Sequence, residues 1–150
     1  ALEGTVSQSG TMITSDEQLR AILTGYRNIA VIGLSPDVFR PSNSVAIYLL
    51  DHGYNVIPIN PSVDEVLGLR SYPSLEEVPG QIDIVDVFRR SEYVPDIARE
   101  AVEIGAKVLW TQLGVISSEA AEIAENASLN VVMDRCTVIE HRRLVAQTSS

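Results

Sequence analysis

The sequence predicts an α/β domain of the doubly wound type: a mainly parallel sheet with helices on both faces. Three observations carry that reading. Residues 29–34, 55–60, 82–88, 107–112 and 129–133 are short apolar runs with little alternation, which suits strands covered on both faces. Segments of helical length separate them, and several end at a glycine, as at Gly25, Gly53 and Gly105. Strand and helix alternate along the chain, and right-handed crossovers then favour strand order 3-2-1-4-5-6, with the third strand short.

Taken in order, residues 1–13 are rich in Gly, Ser and Thr without periodicity and are expected to be a flexible leader; 146–150 are expected to be a flexible tail around a domain spanning 14–145. Ser15 is the natural N-cap of a first helix, with Asp16 and Glu17 at its positive end and Leu19, Ile22 and Leu23 as its apolar stripe. The strand at 29–34 is followed by a helix over about 42–52, and the strand at 55–60 by a weak strand over 67–72. A small helix starts at Ser74. Further helices are expected over 93–104 and 117–126, each between two strands.

Composition limits the function. In 150 residues, 20 Asp and Glu against 11 Lys and Arg give a formal net charge of −9. Sequence-independent nucleic-acid binding and attachment to an anionic membrane are both disfavoured by that charge. An anionic ligand must be held by a local site working against the global field. Cys136 is the single cysteine, so no intramolecular disulfide forms and no thiolate zinc cluster is available. His52 and His141 lie far apart without ligand spacing; His52 suits a helix end and His141 a surface position. No apolar run is long enough to span a bilayer, and a reduced, cytoplasmic protein is the expectation.

Ligands of open α/β sheets bind beyond the carboxyl ends of the strands, which selects the loops at 33–42, 60–63, 88–91, 112–115 and 134–137. In the first, Gly33 permits a tight turn, Ser35 offers a hydroxyl, and Ser42 or Asn43 opens a helix whose free N–H groups attract phosphate. The dinucleotide fingerprint is missing, since Ser35 and Val38 stand where its second and third glycines belong. The second strand ends at Asn60–Pro61 without the acid that holds an NAD ribose, an edge permissive for a phosphorylated ribose. Arg40 and the pair Arg89–Arg90 supply guanidinium from two converging loops, with Phe88 beside them. The pair could equally be a solvated answer to Glu92 and Asp96. Asp86, inside a strand, is explained by an internal hydrogen bond. No nucleophile elbow or Walker loop occurs.

The blocks IAVIGLSPDVFRPSNSVAIYLLDHGYNVIPINPSVDEVLG, VDVFRRSEYVPDI, GAKVLWTQLGV and VVMDRC, in this order and spacing, resemble the stand-alone coenzyme A-binding protein family. That family is similar to the N-terminal CoA-binding domain of the succinyl-CoA synthetase alpha subunit. The resemblance implies a Rossmann-like fold and CoA or an acyl-CoA as ligand. By position it places Gly33, Ser35, Pro36, Arg40, Pro41 and Ser42 around the ADP phosphates, and Asn60 and Pro61 at a second nucleotide contact. Phe88 and Arg89 match the wall near the adenine end, Gln112, Leu113 and Gly114 the loop along the pantetheine arm, and Cys136 the turn after the last strand, where Thr137 replaces a proline. The synthetase reaction needs a second domain and a partner subunit, so the expectation is a non-catalytic sensor, carrier or presenting module. The alternatives are an acyl-CoA-dependent enzyme using Cys136 or a partner subunit, and a nicotinamide-nucleotide module.

Overall fold

The structure, a computed structural model, describes residues 10–146. Residues 1–9 of the expected leader and 147–150 of the expected tail lie outside the described residues.

Strands β1 (Asn28–Ile32), β2 (Asn55–Ile59), β5 (Ile84–Val87), β6 (Val108–Thr111) and β7 (Asn130–Val132) form one parallel sheet in the order β2-β1-β5-β6-β7. The weak run at 67–72 departs from the expected order. It contributes to a separate two-stranded hairpin, β3 (Glu65–Val66) and β4 (Leu69–Arg70), turned by Leu67 and Gly68 at positive φ. What remains of the third strand is one parallel bridge, Tyr72 to Ile59, made by the Tyr72 N–H to Pro58 O and the Asn60 N–H to Tyr72 O. Pro58 lacks an N–H of its own, which suits a position near the sheet's edge. At the opposite edge Ile13 is buried and its N–H donates to Val131 O at 2.7 Å.

Helix α1 (Asp16–Gly25) starts where expected: Ser15 Oγ accepts from the Gln18 N–H at 3.2 Å. Helix α2 (Pro41–Asp51) opens on Pro41, whose missing N–H costs nothing at a helix start. Helices α3 (Val94–Glu103) and α4 (Ser118–Asn126) follow β5 and β6. The last helix, α5 (Thr137–His141), continues into a π-helical turn, Arg142–Ala146, and was not apparent in the sequence.

Strand alternation divides the core in two. Ala30, Ile32, Val85, Val87 and Leu109 face α3 and α4, whose inner surfaces are largely alanine. Ile29, Val31, Ile84, Val108 and the fully buried Trp110 face α1 and α2, with Leu144 closing that side. Each fully buried large side chain contributes about 1.5–3 kcal/mol. No described helix is long and apolar enough to cross a membrane.

Candidate functional site: a cleft at the carboxyl edge of the sheet

The loops after β1, β5 and β6, with the turn after β7, converge on one cleft of about 850 Å³. Gly33, Ser35, Arg40, Pro41 and Ser42 line it from the first loop, Phe88 and Arg89 from the second, Gln112, Leu113 and Gly114 from the third, and Cys136 from the last. The structure therefore brings together most of the residues singled out from the sequence. An adjoining hollow of about 560 Å³ is lined by Asn60 and Pro61 with Tyr93, Ile97 and Glu100, and it shares Gly33 and Arg89 with the cleft.

Gly33 is fixed by geometry. It has φ +85°, and a Cβ there would stand 2.9 Å from Phe88 O and 3.2 Å from Arg89 Cδ, so no other residue fits between these two loops without a shift. Beyond it the loop is held from within. Ser42 Oγ accepts from the Ser35 N–H at 3.0 Å, and Asn43 Nδ2 donates to Ser35 O at 2.9 Å. The Ser35 hydroxyl accepts from the Asp37 N–H, and the Asp37 carboxylate from the Phe39 N–H.

Two expected site residues are placed in more detail, and a third expectation is corrected. Pro36 is exposed and lines neither hollow, standing between the residues that make these two side-chain turns. Asn60 reaches the second hollow, but its side chain is spent on structure: Nδ2 donates to Leu34 O at 3.0 Å and Oδ1 accepts from the Ser62 N–H. His141 is buried rather than on the surface, its Nδ1 2.9 Å from the Tyr48 hydroxyl and its ring 5.0 Å from that of His52. Burial, then the neighbouring His52 and Arg27, push the His141 pKa below its ordinary value. No group of metal-binding side chains occurs among the described residues.

The cleft's electrostatics come from arginines without carboxylates. Among the described residues, no acid pairs with the guanidinium of Arg40, Arg89 or Arg90. Asp96, expected as a possible partner, is taken by Arg99 at 2.7 Å, while Arg89 lies over the Tyr93 ring at 4.3 Å. Helix α2, whose first turn meets the cleft through Pro41 and Ser42, has no acid in that turn, whereas α1 carries two and α3, α4 and α5 one each. Its dipole adds positive potential where the arginines already stand. The hollow differs. Burial, with Glu76 nearby, raises the pKa of its Glu100, an environment suited to a neutral group rather than a phosphate.

Arg90, read from the sequence together with Arg89, also lines the cleft, whereas Val45, Ser91 and Val115 were not singled out as lining residues. Ser91 also joins two loops, its Oγ accepting from the Ile116 N–H at 3.0 Å. Asp134 does the same on the other side, accepting from the Gly114 N–H at 2.7 Å. Cys136 is half-buried and stands just before α5, while the neighbouring Arg135 is paired with Glu140 at 3.3 Å. Beneath the cleft, Asp86 is fully buried. Burial pushes its pKa up to about 7 against the hydrogen bonds it accepts from Gln112 and Thr137. The expected internal hydrogen bond is thus present.

Residues 27–142 match the family described as CoA binding domain. The chain is 42% identical to an uncharacterized protein of Bacillus subtilis, YneT, over 85% of this chain and 94% of that one. It is 28% identical to the alpha subunit of the ADP-forming acetate–CoA ligase II of Pyrococcus furiosus, over 75% of this chain and 27% of the subunit. Among solved structures, a hypothetical protein from Pyrococcus horikoshii superposes with a TM-score of 0.86 at 42% identity, covering 88% of this chain and 93% of that one. The sheet, its helices and its sequence therefore agree on one assignment: this chain belongs to the CoA-binding domain family.

Proposed function

We propose that the cleft binds coenzyme A or an acyl-CoA, and that the chain acts as a carrier, sensor or presenting module for it. The observation that carries this reading is the set of guanidiniums, Arg40, Arg89 and Arg90, that line one cleft and pair with no acid among the described residues, in a chain of net charge −9. Family membership supplies the ligand class. The phosphates lie between Arg40, Arg89 and the start of α2, each charge-assisted hydrogen bond being of the stronger kind. The uncharged adenine enters the hollow beside Asn60 and Pro61, and the pantetheine arm runs past Gln112, Leu113 and Gly114 toward Cys136. Asn60, with no carboxylate at the end of β2, leaves room for a phosphorylated ribose and argues against NAD.

A second reading, an enzyme acting on acyl-CoA through Cys136, is favoured by one observation: the thiol lines the same cleft. It lacks an adjacent base, because no histidine lines that cleft and His141 is engaged with Tyr48.

Mass spectrometry of ligand released from freshly purified protein, with calorimetric titration against CoA, acetyl-CoA, NAD and NADP, tests the assignment. CoA or an acyl-CoA is the expected ligand; binding of NAD with none of CoA would overturn it. Acyl-CoA turnover that disappears in Cys136→Ala would replace it with the enzyme reading.

A further inference from the structure

Asp86 sits in the middle of the sheet, on the face shared with Ile84 and Trp110, and has no cationic partner among the described residues. Its contacts are two neutral side chains. Gln112 Nε2 donates to Oδ1 at 2.6 Å, and the Thr137 hydroxyl lies 3.5 Å from Oδ2. Gln112 Nε2 is also 3.5 Å from the Thr137 hydroxyl oxygen. The three side chains close a small ring directly under the cleft, joining β5, the loop after β6 and the start of α5.

The ring has a direction. Once ionised, the Asp86 carboxylate only accepts, so it holds the NH2 end of the Gln112 amide inward, where both N–H groups find acceptors. The amide's other end is then turned away from the core. Gln112 Oε1 accepts no hydrogen bond from a described residue, yet Asn43 Oδ1 is the buried side-chain atom left without a partner. Gln112 lines the cleft and its Oε1 is not among the buried unpartnered atoms, which is consistent with a carbonyl oxygen turned toward that side. A buried ion of this kind adds little to stability, because apolar side chains of the same volume would fill the space without desolvating a charge.

We propose that Asp86 is a positioning residue that fixes the Gln112 amide with its carbonyl oxygen toward the cleft, where it accepts a hydrogen bond from an amide N–H of the pantetheine arm. The proposal rests on the reading of the cleft as a CoA site. It makes Gln112 a specificity determinant for the arm rather than for the nucleotide.

The test compares CoA with 3′-phospho-ADP, which carries the phosphates of CoA but no arm, by calorimetry on the full chain. Gln112→Met, of similar shape but without the carbonyl, is expected to weaken CoA about tenfold and to leave 3′-phospho-ADP within about twofold. Asp86→Asn, whose amide can donate as well as accept, no longer fixes the Gln112 orientation and is expected to weaken CoA about three- to tenfold with the same selectivity. Thr137→Val, which removes the third member of the ring, acts in the same direction. Unchanged CoA affinity in Gln112→Met or Asp86→Asn, or equal loss of both ligands, would overturn the proposal. Wild-type protein that binds neither ligand would instead refute the CoA reading, and the proposal with it.

Discussion

Two clusters of arginine stand on this molecule, and they are built oppositely. At the C-terminal flank, Arg143 donates to both carboxylate oxygens of Asp16, at 2.8 and 2.9 Å, and to Glu140 at 2.6 Å; Arg135 reaches the same Glu140 at 3.3 Å. These pairs tie the last turn of the chain to the start of α1, and the Arg143 contact holds the Asp16 pKa below its ordinary value. Around the cleft, Arg40, Arg89 and Arg90 have no such partners among the described residues, although the chain carries nearly two acids for every base. The difference teaches what an unmatched cation means here: the flank completes its own charge, whereas the cleft leaves charge open for the ligand proposed above.

The sharpest way to break the cleft is through its backbone. Gly33→Ala places a Cβ against Phe88 O at positive φ, and a loss of about 3–5 kcal/mol in stability is expected from strain and overpacking together. Urea denaturation measures it; wild-type stability would mean that the two loops are not as close as described.

Asp86 sharpens the contrast from below. Its folded-state pKa, about 7, lies above the ordinary carboxylate value of 3.8, so the folded protein holds this proton more tightly than the unfolded chain. The group's contribution is therefore most favourable below pH 3.8 and is lost as pH rises through 7. Asp86→Asn is expected to gain about 2–4 kcal/mol at pH 8, shrinking toward pH 4, in urea titrations at several pH values. Destabilisation at pH 8 would make Asp86 a structural ion after all.

Arg40→Ala and Arg89→Ala are each expected to weaken CoA binding by about 1.5–3 kcal/mol, with little change in melting temperature. Dephospho-CoA should lose less on mutation of whichever arginine meets the 3′-phosphate. Arg143→Ala should do the reverse, leaving CoA affinity unchanged and lowering the melting temperature slightly, an effect that fades at high salt. A calorimetric loss in Arg143→Ala equal to that in Arg89→Ala would erase the distinction between the clusters.

Much of this arrangement could be read from the residues. Ser15 and the acids after it marked α1, glycines marked helix ends, and the apolar runs marked the five strands that remain in the sheet. The rule for parallel sheets then named the loops that meet at the cleft. The rest depended on pairings that leave no local trace. His141 reads as a surface position, but distant Tyr48 partners its ring and it is buried in a helix. Asn60 matches a nucleotide contact by resemblance, and only the position of Leu34 O shows that its side chain also braces the loop. The run at 67–72 has strand character, but positive φ at Leu67 and Gly68 folds its first half into a hairpin and leaves Tyr72 alone at the sheet edge.

The central claim is that the cleft's unpaired arginines are completed by the phosphates of CoA. Its most direct test is a calorimetric titration of CoA into the wild type and into the Arg40→Ala, Arg89→Ala double variant, at two salt concentrations. The two side chains stand on separate loops, so their losses should roughly add to about 3–6 kcal/mol. The salt dependence seen in the wild type should also flatten. Wild-type affinity and an unchanged salt dependence in a folded double variant would contradict the account.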